Sequence, residues 1–360
     1  MKRAFISDCE GPISKNDNAF EITAHFVPDG DKLFTVISRY DDILADVLKR
    51  PHYEAGDTLK LILPFLKAYG VTNRKMREFS AHHLVLVSGI KDTLQHVRGV
   101  AHAFIVSTSY EHYIKALCKA LDFPYKNTYC TKLDIDKYHV TGKEKAMLKE
   151  TAEEIAQMPT SKIPQNAKSA EDFSERDQKT VRRLDEIFWK EVTSMEIGRI
   201  FSDVNPVGGG EKAEAIRDAA RKVGVALAGV MYVGDSITDV EAFRLVKQNA
   251  GLVVSFNGNQ YAVKNSEIAV LSENSIVTTI IADVFGRFGK AQALTLVENW
   301  TPNALEKSRA NKTLLNRLFK LYPAELPKVK IITSENMETL AEESSKFRKK
   351  VRGEAIGGLG

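Results

Sequence analysis

The sequence has few of the features that mark secreted, membrane-spanning or disulfide-stabilised proteins. Its three cysteines, Cys9, Cys118 and Cys130, form no CxxC pair and would leave one thiol over if two of them joined. This favours reduced thiols. No uncharged window approaches the roughly 20 apolar residues of a membrane helix, and the first residues lack the apolar stretch of a signal peptide. These absences predict a cytoplasmic protein without membrane association.

An excess of charge of either sign is also missing. The 360 residues include 51 Lys and Arg against 47 Asp and Glu, a formal net charge of +4. Such a balance tolerates small anionic ligands but gives no basis for nucleic acid binding. The composition, 43% hydrophobic and 27% charged, is that of a globular protein. Because the chain is longer than one hydrophobic core usually serves, at least two compact units are expected.

Short apolar runs indicate the fold class. Four of them have the length of buried parallel strands and end in polar residues: 4–6, 103–106, 225–233 and 250–254. Helical patterns lie between them, at 89–97 and 211–221. Strands that alternate with helices predict a doubly wound, Rossmann-like α/β sheet. In such a sheet, ligands bind at the carboxyl ends of the strands.

Three segments do not fit this alternation. Residues 15–86 are predicted to form a helical cap, and residues 143–196 a helical hairpin whose apolar stripe packs into a core. Residues 288–360 are predicted to form a C-terminal helical extension that docks on the core or on another subunit. Its end, from Lys349, is basic and then glycine-rich, and we expect it to be frayed. The remaining segments form the catalytic core: 1–14, 87–142 and 197–287.

The candidate functional residues follow predicted strands or open a predicted helix. In chain order they are Asp8-Cys9-Glu10-Gly11, Ser107 with Thr108, Lys212, and Gly234-Asp235 with Asp239. Each motif alone is weak, because a carboxylate after a strand is common. The order and placement of all four are specific. Transfer of a phosphoryl group requires a nucleophile, a proton donor for the leaving oxygen, and cations around the equatorial oxygens.

This ordered set resembles the four motifs of the haloacid dehalogenase (HAD) superfamily, over a little more than half of the chain. The resemblance implies an Mg²⁺-dependent phosphohydrolase that cleaves a small phosphomonoester through an aspartyl-phosphate on Asp8. Glu10 would act as general acid and base, and Lys212 would pair with the nucleophile. The phosphate-binding residues would be Ser107, Thr108, Gly11 and Lys212, and the metal-binding residues Asp8, Glu10 through its carbonyl, Asp235 and Asp239.

Glu10 departs from the common HAD pattern, which has Asp at this position. The additional methylene displaces the proton-donating oxygen, and a misplacement of about 1 Å can lower a rate about 10²-fold. The enolase-phosphatase branch nevertheless uses the same D-x-E-G pattern and is catalytic. Two alternatives to hydrolysis therefore stay open: phosphoryl transfer to an acceptor other than water, and a catalytically weak or inactive subunit that binds a protein complex.

Two further resemblances concern the branch of the superfamily. Residues 131–142 look like the short β-hairpin of phosphoserine-phosphatase-like members, and the position of the cap agrees with that branch. The second insertion and the C-terminal extension more closely resemble archaeal HAD-like proteins labelled as a subunit associated with an energy-converting hydrogenase. The expected partner is a small phosphorylated metabolite, and the helical extensions are candidate surfaces for a homodimer or a protein complex.

Overall fold

A computed structural model describes residues 2–164 and 167–359. Met1, Gln165 and Asn166 of the predicted hairpin linker, and Gly360 of the predicted tail lie outside the described residues. Within these ranges seven strands form one sheet. The strands are β1 Ala4–Ser7, β2 His102–Tyr110, β3 Thr128–Thr131, β4 Val230–Gly234, β5 Leu252–Phe256, β6 Ile268–Leu271 and β7 Lys328–Ile331.

The sheet has the order β3-β2-β1-β4-β5-β6-β7, and β7 alone runs antiparallel to its neighbour. The chain passes from β1 outward to β2 and β3, then returns to β4 on the other side of β1. The reversal creates a switch point between the carboxyl ends of β1 and β4, where doubly wound proteins bind ligands. Along β1, Phe5 packs into the core on one face and Ile6 into the core on the other. The predicted doubly wound α/β fold is confirmed.

The helices of the described residues cover both faces of the sheet and form the cap and the extensions. The first ten in chain order are α1 Asn18–Phe26, α2 Gly30–Asp42, α3 Thr58–Leu61, α4 Leu63–Ala68, α5 Asn73–His82, α6 Ile90–Val97, α7 Glu111–Leu121, α8 Gly142–Gln157, α9 Glu175–Glu186 and α10 Ile200–Asp203. The others are α11 Gly209–Val223, α12 Val240–Gln248, α13 Gln260–Asn265, α14 Ile276–Phe288, α15 Lys290–Glu298, α16 Pro302–Lys307, α17 Lys312–Leu321, α18 Met337–Arg352 and α19 Glu354–Gly357. None of the helices in the described ranges is long and apolar enough to cross a membrane.

Four of the strands coincide with the predicted apolar runs, although the third run is only partly a strand. Gly224, with φ of +64°, ends α11, and a short turn at Leu227–Gly229 precedes β4. Strands β3, β6 and β7 were not predicted. β7 alternates Lys with Val or Ile on the edge of the sheet, and only one of its four residues, Val329, is buried. Its hydrophobic signal is therefore weak.

The cap and the hairpin insertion share one hydrophobic core. Phe188, in a π-helical turn after α9, is fully buried. Its ring centroid lies 5.8 Å from that of Tyr40, 6.1 Å from that of Phe65 and 6.2 Å from that of Phe201. The apolar stripe of the hairpin therefore packs against the cap, as the interpretation of core packing predicted.

The β-hairpin predicted at residues 131–142 is absent. β3 ends at Thr131, a 3₁₀ turn forms at Ile135–Lys137, and α8 begins at Gly142. Ile135 and Tyr138 are buried in the core shared by the cap and the insertion, and the Asn73 side chain accepts a hydrogen bond from the Ile135 N–H group at 3.2 Å. The prediction was wrong because contacts with the cap, far away in sequence, fix this segment.

The C-terminal extension lies on the core, and the structure describes it as far as residue 359. Apolar side chains of α15 and α17 are buried in the core on one face of the sheet, and α18 packs against α13 and β6. From Lys349 the chain continues as α18 to Arg352, and a turn at Gly353, with φ of +85°, leads into α19. Two buried arginines, described below, anchor α18, and fraying of the last residues stays a prediction.

The core shared by the cap and the insertion leads to a prediction about stability. Replacement of Phe188 by Ala removes a fully buried ring and is expected to lower the free energy of unfolding by about 3–5 kcal/mol. Phe288, which is 38% exposed, is the matched control, and its replacement by Ala is expected to change that free energy by less than about 1 kcal/mol. Denaturant unfolding measures both. Equal effects would contradict a core shared by the cap and the insertion.

Candidate active site

Two acidic residues follow the adjacent central strands at the switch point. Asp8 comes directly after β1, and its N–H group donates to the Val233 carbonyl at 2.8 Å. Asp235 comes directly after β4, and Asp239 lies at the start of α12. The carboxylate oxygens of Asp8, Asp235 and Asp239 lie within 4.8 Å of one another. The fold thus brings together three acids that lie up to 231 positions apart, as the motif order predicted.

Lys212 joins two of these carboxylates. It lies in the first turn of α11 and is 0% exposed. Its Nζ atom donates to Asp8 Oδ2 at 2.8 Å, to Asp239 Oδ1 at 2.7 Å and to Thr238 Oγ1 at 3.0 Å. Burial lowers the pKa of Lys212, but the Asp239 and Asp8 carboxylates outweigh it and raise the pKa above that of an ordinary lysine. A permanent positive charge therefore lies against the candidate nucleophile.

The environment of Asp8 is set by burial and by this lysine. Burial raises the pKa of Asp8 to about 6, with Lys212 opposing the rise and Asp239 adding to it. The Cys9 N–H group donates to Oδ1 at 2.7 Å, so each oxygen of the carboxylate has one donor. Near neutral pH the carboxylate is largely ionised, which a nucleophile requires.

Asp239 holds the lysine and the loop after β4 in place. Its Oδ1 accepts from the Tyr232 hydroxyl at 2.6 Å and from Lys212, and its Oδ2 accepts from the N–H groups of Asp235 at 2.8 Å and Ser236 at 3.0 Å. These four donors occupy both oxygens. Asp239 is thereby suited to position Lys212, and its predicted part in metal binding stays a prediction.

Glu10 faces the same cavity from the start of the cap connection. Its Oε1 accepts from the Asn18 N–H group at 2.8 Å. Burial and the neighbouring Asp17 carboxylate raise the pKa of Glu10 to about 8, against the opposing effects of the Asn18 N–H group and Arg352. A carboxyl group that is protonated at neutral pH is suited to donate a proton to a leaving group.

The other predicted phosphate-binding groups have partners within the chain. The Gly11 N–H group donates to the Ser14 carbonyl at 2.7 Å, and Ser107 Oγ accepts from the Ser109 N–H group at 3.1 Å. Thr108 lines the cavity, but its hydroxyl donates to a backbone carbonyl at 3.1 Å. Contacts between these groups and phosphate stay predictions.

The structure nevertheless explains why position 11 is a glycine. Its φ is +98°, a region that side chains disfavour. A β-carbon at this position would overlap the Asp235 carboxylate. Only glycine therefore allows the turn after Asp8 to lie directly against Asp235.

The sequence interpretation missed two arginines of α18. The side chains of Arg348 and Arg352 are each only 4% exposed, and both guanidinium groups pair with Asp235 Oδ2. Arg348 Nη1 also donates to the Asp235 carbonyl at 3.2 Å. Burial and the neighbouring Arg352 lower the pKa of Arg348, while the acids of the cavity, with Asp17 foremost, oppose this effect. A segment outside the four motifs thus contributes two cations to the site.

The available signal for this pair was its spacing. Arg348 and Arg352 are four residues apart and so lie on one face of a helix. The same stretch also contains Lys346, Lys349 and Lys350, which are exposed. A run of basic residues near a chain end usually indicates a solvated helix. This interpretation is why the two inward-facing arginines were not predicted.

The cavity above these residues is small, about 90 Å³. Ligand pockets for small molecules typically measure roughly 300–1,000 Å³, so this cavity is smaller than a usual ligand pocket. A larger cavity of about 400 Å³, between α6 and α17, contains none of the candidate residues. The site cavity is lined by Asp8, Glu10, Asp17, Phe34, Ser38, Asp41, Asp42, Gly56, Thr58, Leu59, Thr108, Asp235, Ser236, Ile237, Thr238, Arg348, Arg352 and Leu359.

Asp41 is a buried acid on the cap side of this cavity. Its Oδ2 accepts from the Gly56 N–H group at 2.9 Å. Within the described residues no hydrogen bond reaches its Oδ1, although the Tyr53 hydroxyl lies nearby. Burial, with the Asp57 and Asp42 carboxylates adding to it, raises the pKa of Asp41 to about 7.

Comparisons with known proteins support the fold more than the chemistry. No protein-family model and no curated protein matches the chain. The solved structure of gene product AF1437 from Archaeoglobus fulgidus is similar over 100% of this chain and 99% of that chain, with 26% identity and a TM-score of 0.79. The similarity to this structure therefore extends over almost the whole length of both chains.

Two other similar structures are more distant. A phosphoserine phosphatase in its apo form matches 77% of this chain and 98% of its own, with 14% identity and a TM-score of 0.43. A phosphoserine phosphohydrolase-like protein from Francisella tularensis matches 78% and 97%, with 14% identity and a TM-score of 0.41.

The raised pKa of Asp41 predicts a pH-dependent stability. The folded protein holds this proton more tightly than the unfolded chain, whose aspartates titrate near pH 4. Wild-type stability should therefore fall between about pH 4 and pH 7 through this group. Asp41→Asn cannot ionise and is expected to be about 2–4 kcal/mol more stable than the wild type at pH 8, with the difference vanishing toward pH 4.

Denaturant unfolding at pH 4, 6 and 8 measures this difference. Asp31, which is exposed, provides the control, and Asp31→Asn should show no such pH dependence. A difference between Asp41→Asn and the wild type that is constant over the three pH values would contradict the prediction.

Proposed function

We propose that this protein is an Mg²⁺-dependent phosphohydrolase of the HAD superfamily that cleaves a small phosphomonoester through an aspartyl-phosphate on Asp8. The observation that carries the proposal is the buried Lys212 ammonium, which bridges Asp8 and Asp239 beside Asp235 at the switch point of the sheet. The charge and the geometry suit a carboxylate nucleophile that must approach an anionic phosphoryl group.

In the first step, a carboxylate oxygen of Asp8 attacks phosphorus, and the bond between phosphorus and the leaving oxygen breaks. Glu10, protonated at neutral pH, transfers its proton to that oxygen, so the leaving group departs as an alcohol. Lys212 lies 2.8 Å from Asp8 Oδ2 and offsets the repulsion between this carboxylate and the anionic phosphoryl group. In the second step, Glu10 takes a proton from water, which attacks phosphorus and releases phosphate and the Asp8 carboxylate.

The donor set fits a magnesium ion. Asp8 and Asp235 present hard carboxylate oxygens within 4.8 Å of each other, and oxygen ligands are those that Mg²⁺ prefers. The ion would neutralise negative charge on the phosphoryl oxygens. The Glu10 carbonyl and Asp239 complete the ligand set that the motifs imply. Because two arginines also pair with Asp235, binding of the ion requires them to share this carboxylate.

The small cavity favours a small substrate, or one admitted by movement of the cap or of α18. Transfer to an acceptor other than water would use the same residues and would differ only in its product. The alternative of an inactive subunit in a protein complex, and the association with a hydrogenase, have no observation in their favour here.

The nucleophile makes the first functional prediction. With Mg²⁺ present, the wild-type protein is expected to release phosphate from at least one member of a panel of phosphorylated metabolites, and Asp8→Asn is expected to lose this activity. Phosphate release by a colorimetric assay measures it, with EDTA as a second means of abolishing it and Asp31→Asn as the control. No phosphate release by the wild type across a broad panel would contradict the proposal.

The second functional prediction concerns Glu10, the proposed proton donor. Glu10→Gln keeps an oxygen that can accept from the Asn18 N–H group but cannot donate a proton to the leaving group. Hydrolysis of an alkyl phosphate is expected to slow by about 10²–10⁴-fold. The first step with p-nitrophenyl phosphate, whose leaving group needs no proton, is expected to slow much less, and the initial burst of p-nitrophenol measures it. Equal losses of the first-step rate for both substrates would show that Glu10 is not the general acid.

A further inference from the structure

Arg348 is held by only one of its three guanidinium nitrogens. It is 3% exposed, and its Nη1 atom pairs with the Asp235 carboxylate and donates to the Asp235 carbonyl. Its Nε atom is buried without a hydrogen-bond partner, and the described residues offer Nη2 no hydrogen bond either. The edge of the guanidinium formed by Nε and Nη2 is therefore open.

Arg352, one turn further along the same helix, provides an internal comparison. Its Nε donates to the Lys15 carbonyl at 3.0 Å, its Nη2 donates to the Asn16 carbonyl, and its Nη1 pairs with Asp235 at 3.0 Å. All three nitrogens are satisfied. Arg352 therefore anchors α18 to the connection between β1 and the cap, whereas Arg348 retains two unused donors.

The open edge belongs to a residue that lines the cavity of the candidate nucleophile. Arg348 and Asp8 contribute to the same cavity. A buried donor without a partner costs about 1–3 kcal/mol, and more when it is charged. Such a donor is tolerated where a bound ligand accepts its hydrogen bond. The planar edge of a guanidinium matches two oxygens of one phosphate or carboxylate, so the complementary ligand is an oxyanion.

The place where the oxyanion would bind, beside Asp8, indicates that it is the phosphoryl group of the substrate. Two of the other donors predicted to bind phosphate, the Gly11 amide and the hydroxyl of Thr108, already donate to backbone carbonyls, and Ser107 Oγ accepts from the Ser109 N–H group. Lys212 supplies one charge from beneath Asp8. A phosphoryl group at Asp8 therefore requires further donors on the cavity side, and Arg348 has two of them free.

We propose that Arg348 binds the phosphoryl group of the substrate through the edge formed by Nε and Nη2, and that Arg352 is the positioning residue that holds α18 over the site. This inference rests on the proposed phosphoryl-transfer function and deepens it. The C-terminal helix, which none of the four motifs includes, thereby completes the phosphate site while Asp235 fixes the orientation of Arg348.

Calorimetric titration of inorganic phosphate into the full-length protein with Mg²⁺ tests this role. Arg348→Met is expected to weaken phosphate binding by about 10–100-fold, since it removes two charge-assisted hydrogen bonds. Arg348→Lys keeps the charge but loses the planar edge, and a smaller loss is expected. Lys346→Met removes a charge from the exposed face of the same helix and is expected to leave phosphate affinity unchanged.

Two further measurements separate binding from a structural role. The melting temperature reports whether each variant is folded, and Mn²⁺ affinity by electron paramagnetic resonance reports on the Asp235 site. Arg348→Met should bind Mn²⁺ at least as tightly as the wild type, because a competitor for Asp235 is gone. If Arg348→Met does not fold, the phosphate affinity of Arg348→Lys provides the test.

Phosphate affinity of the Arg348 variants within twofold of the wild type would overturn the inference. A parallel loss in Lys346→Met, a parallel loss of Mn²⁺ affinity, or no phosphate binding by the wild type would overturn it as well. Turnover is not part of this readout. Arg348-dependent phosphate binding without any hydrolysis would contradict the proposed phosphohydrolase while leaving the phosphate-binding role of Arg348 intact.

Discussion

The site depends on one buried ammonium group. Lys212 has no exposure to solvent, and its Nζ atom ties the carboxylate that follows β1 to the carboxylate at the start of α12. Removing a charge from water is unfavourable by several kcal/mol, and only close opposite charges with good geometry offset this. Without the lysine, Asp8 and Asp239 would be neighbouring buried anions. The same contact thus holds two halves of the core together and gives the nucleophile its charge environment.

A second set of charges surrounds Asp235, and it comes from a different part of the chain. Two arginines of α18 pair with this carboxylate, and Gly11 leaves room for it against the turn after Asp8. The C-terminal extension is therefore part of the site as well as a covering of the core. The cavity measures only about 90 Å³, so a ligand larger than this volume would enter only with a movement of the cap or of α18, and such movements limit the rate of many enzymes.

The fold class and the acids at the strand ends could be predicted because their signals are local. A buried strand followed by a polar turn is visible within ten residues, and strand order then brings Asp8 and Asp235 together. Contacts between distant segments were not visible. The hairpin expected at residues 131–142 is replaced by a turn packed against the cap, and Arg348 contacts Asp235 across 113 positions. The four-residue spacing of Arg348 and Arg352 was the local signal for this contact, and the exposed lysines around them obscured it.

We propose that Asp8 accepts a phosphoryl group between Lys212 and the C-terminal helix. A crystal structure of the protein with Mg²⁺ and beryllium fluoride, which mimics an aspartyl-phosphate, tests this directly. We expect beryllium fluoride on an Asp8 oxygen, with Lys212 Nζ and the open edge of Arg348 within hydrogen-bonding distance of its fluorines. Absence of the adduct from Asp8 at saturating concentrations, with the three carboxylates still together, would contradict it.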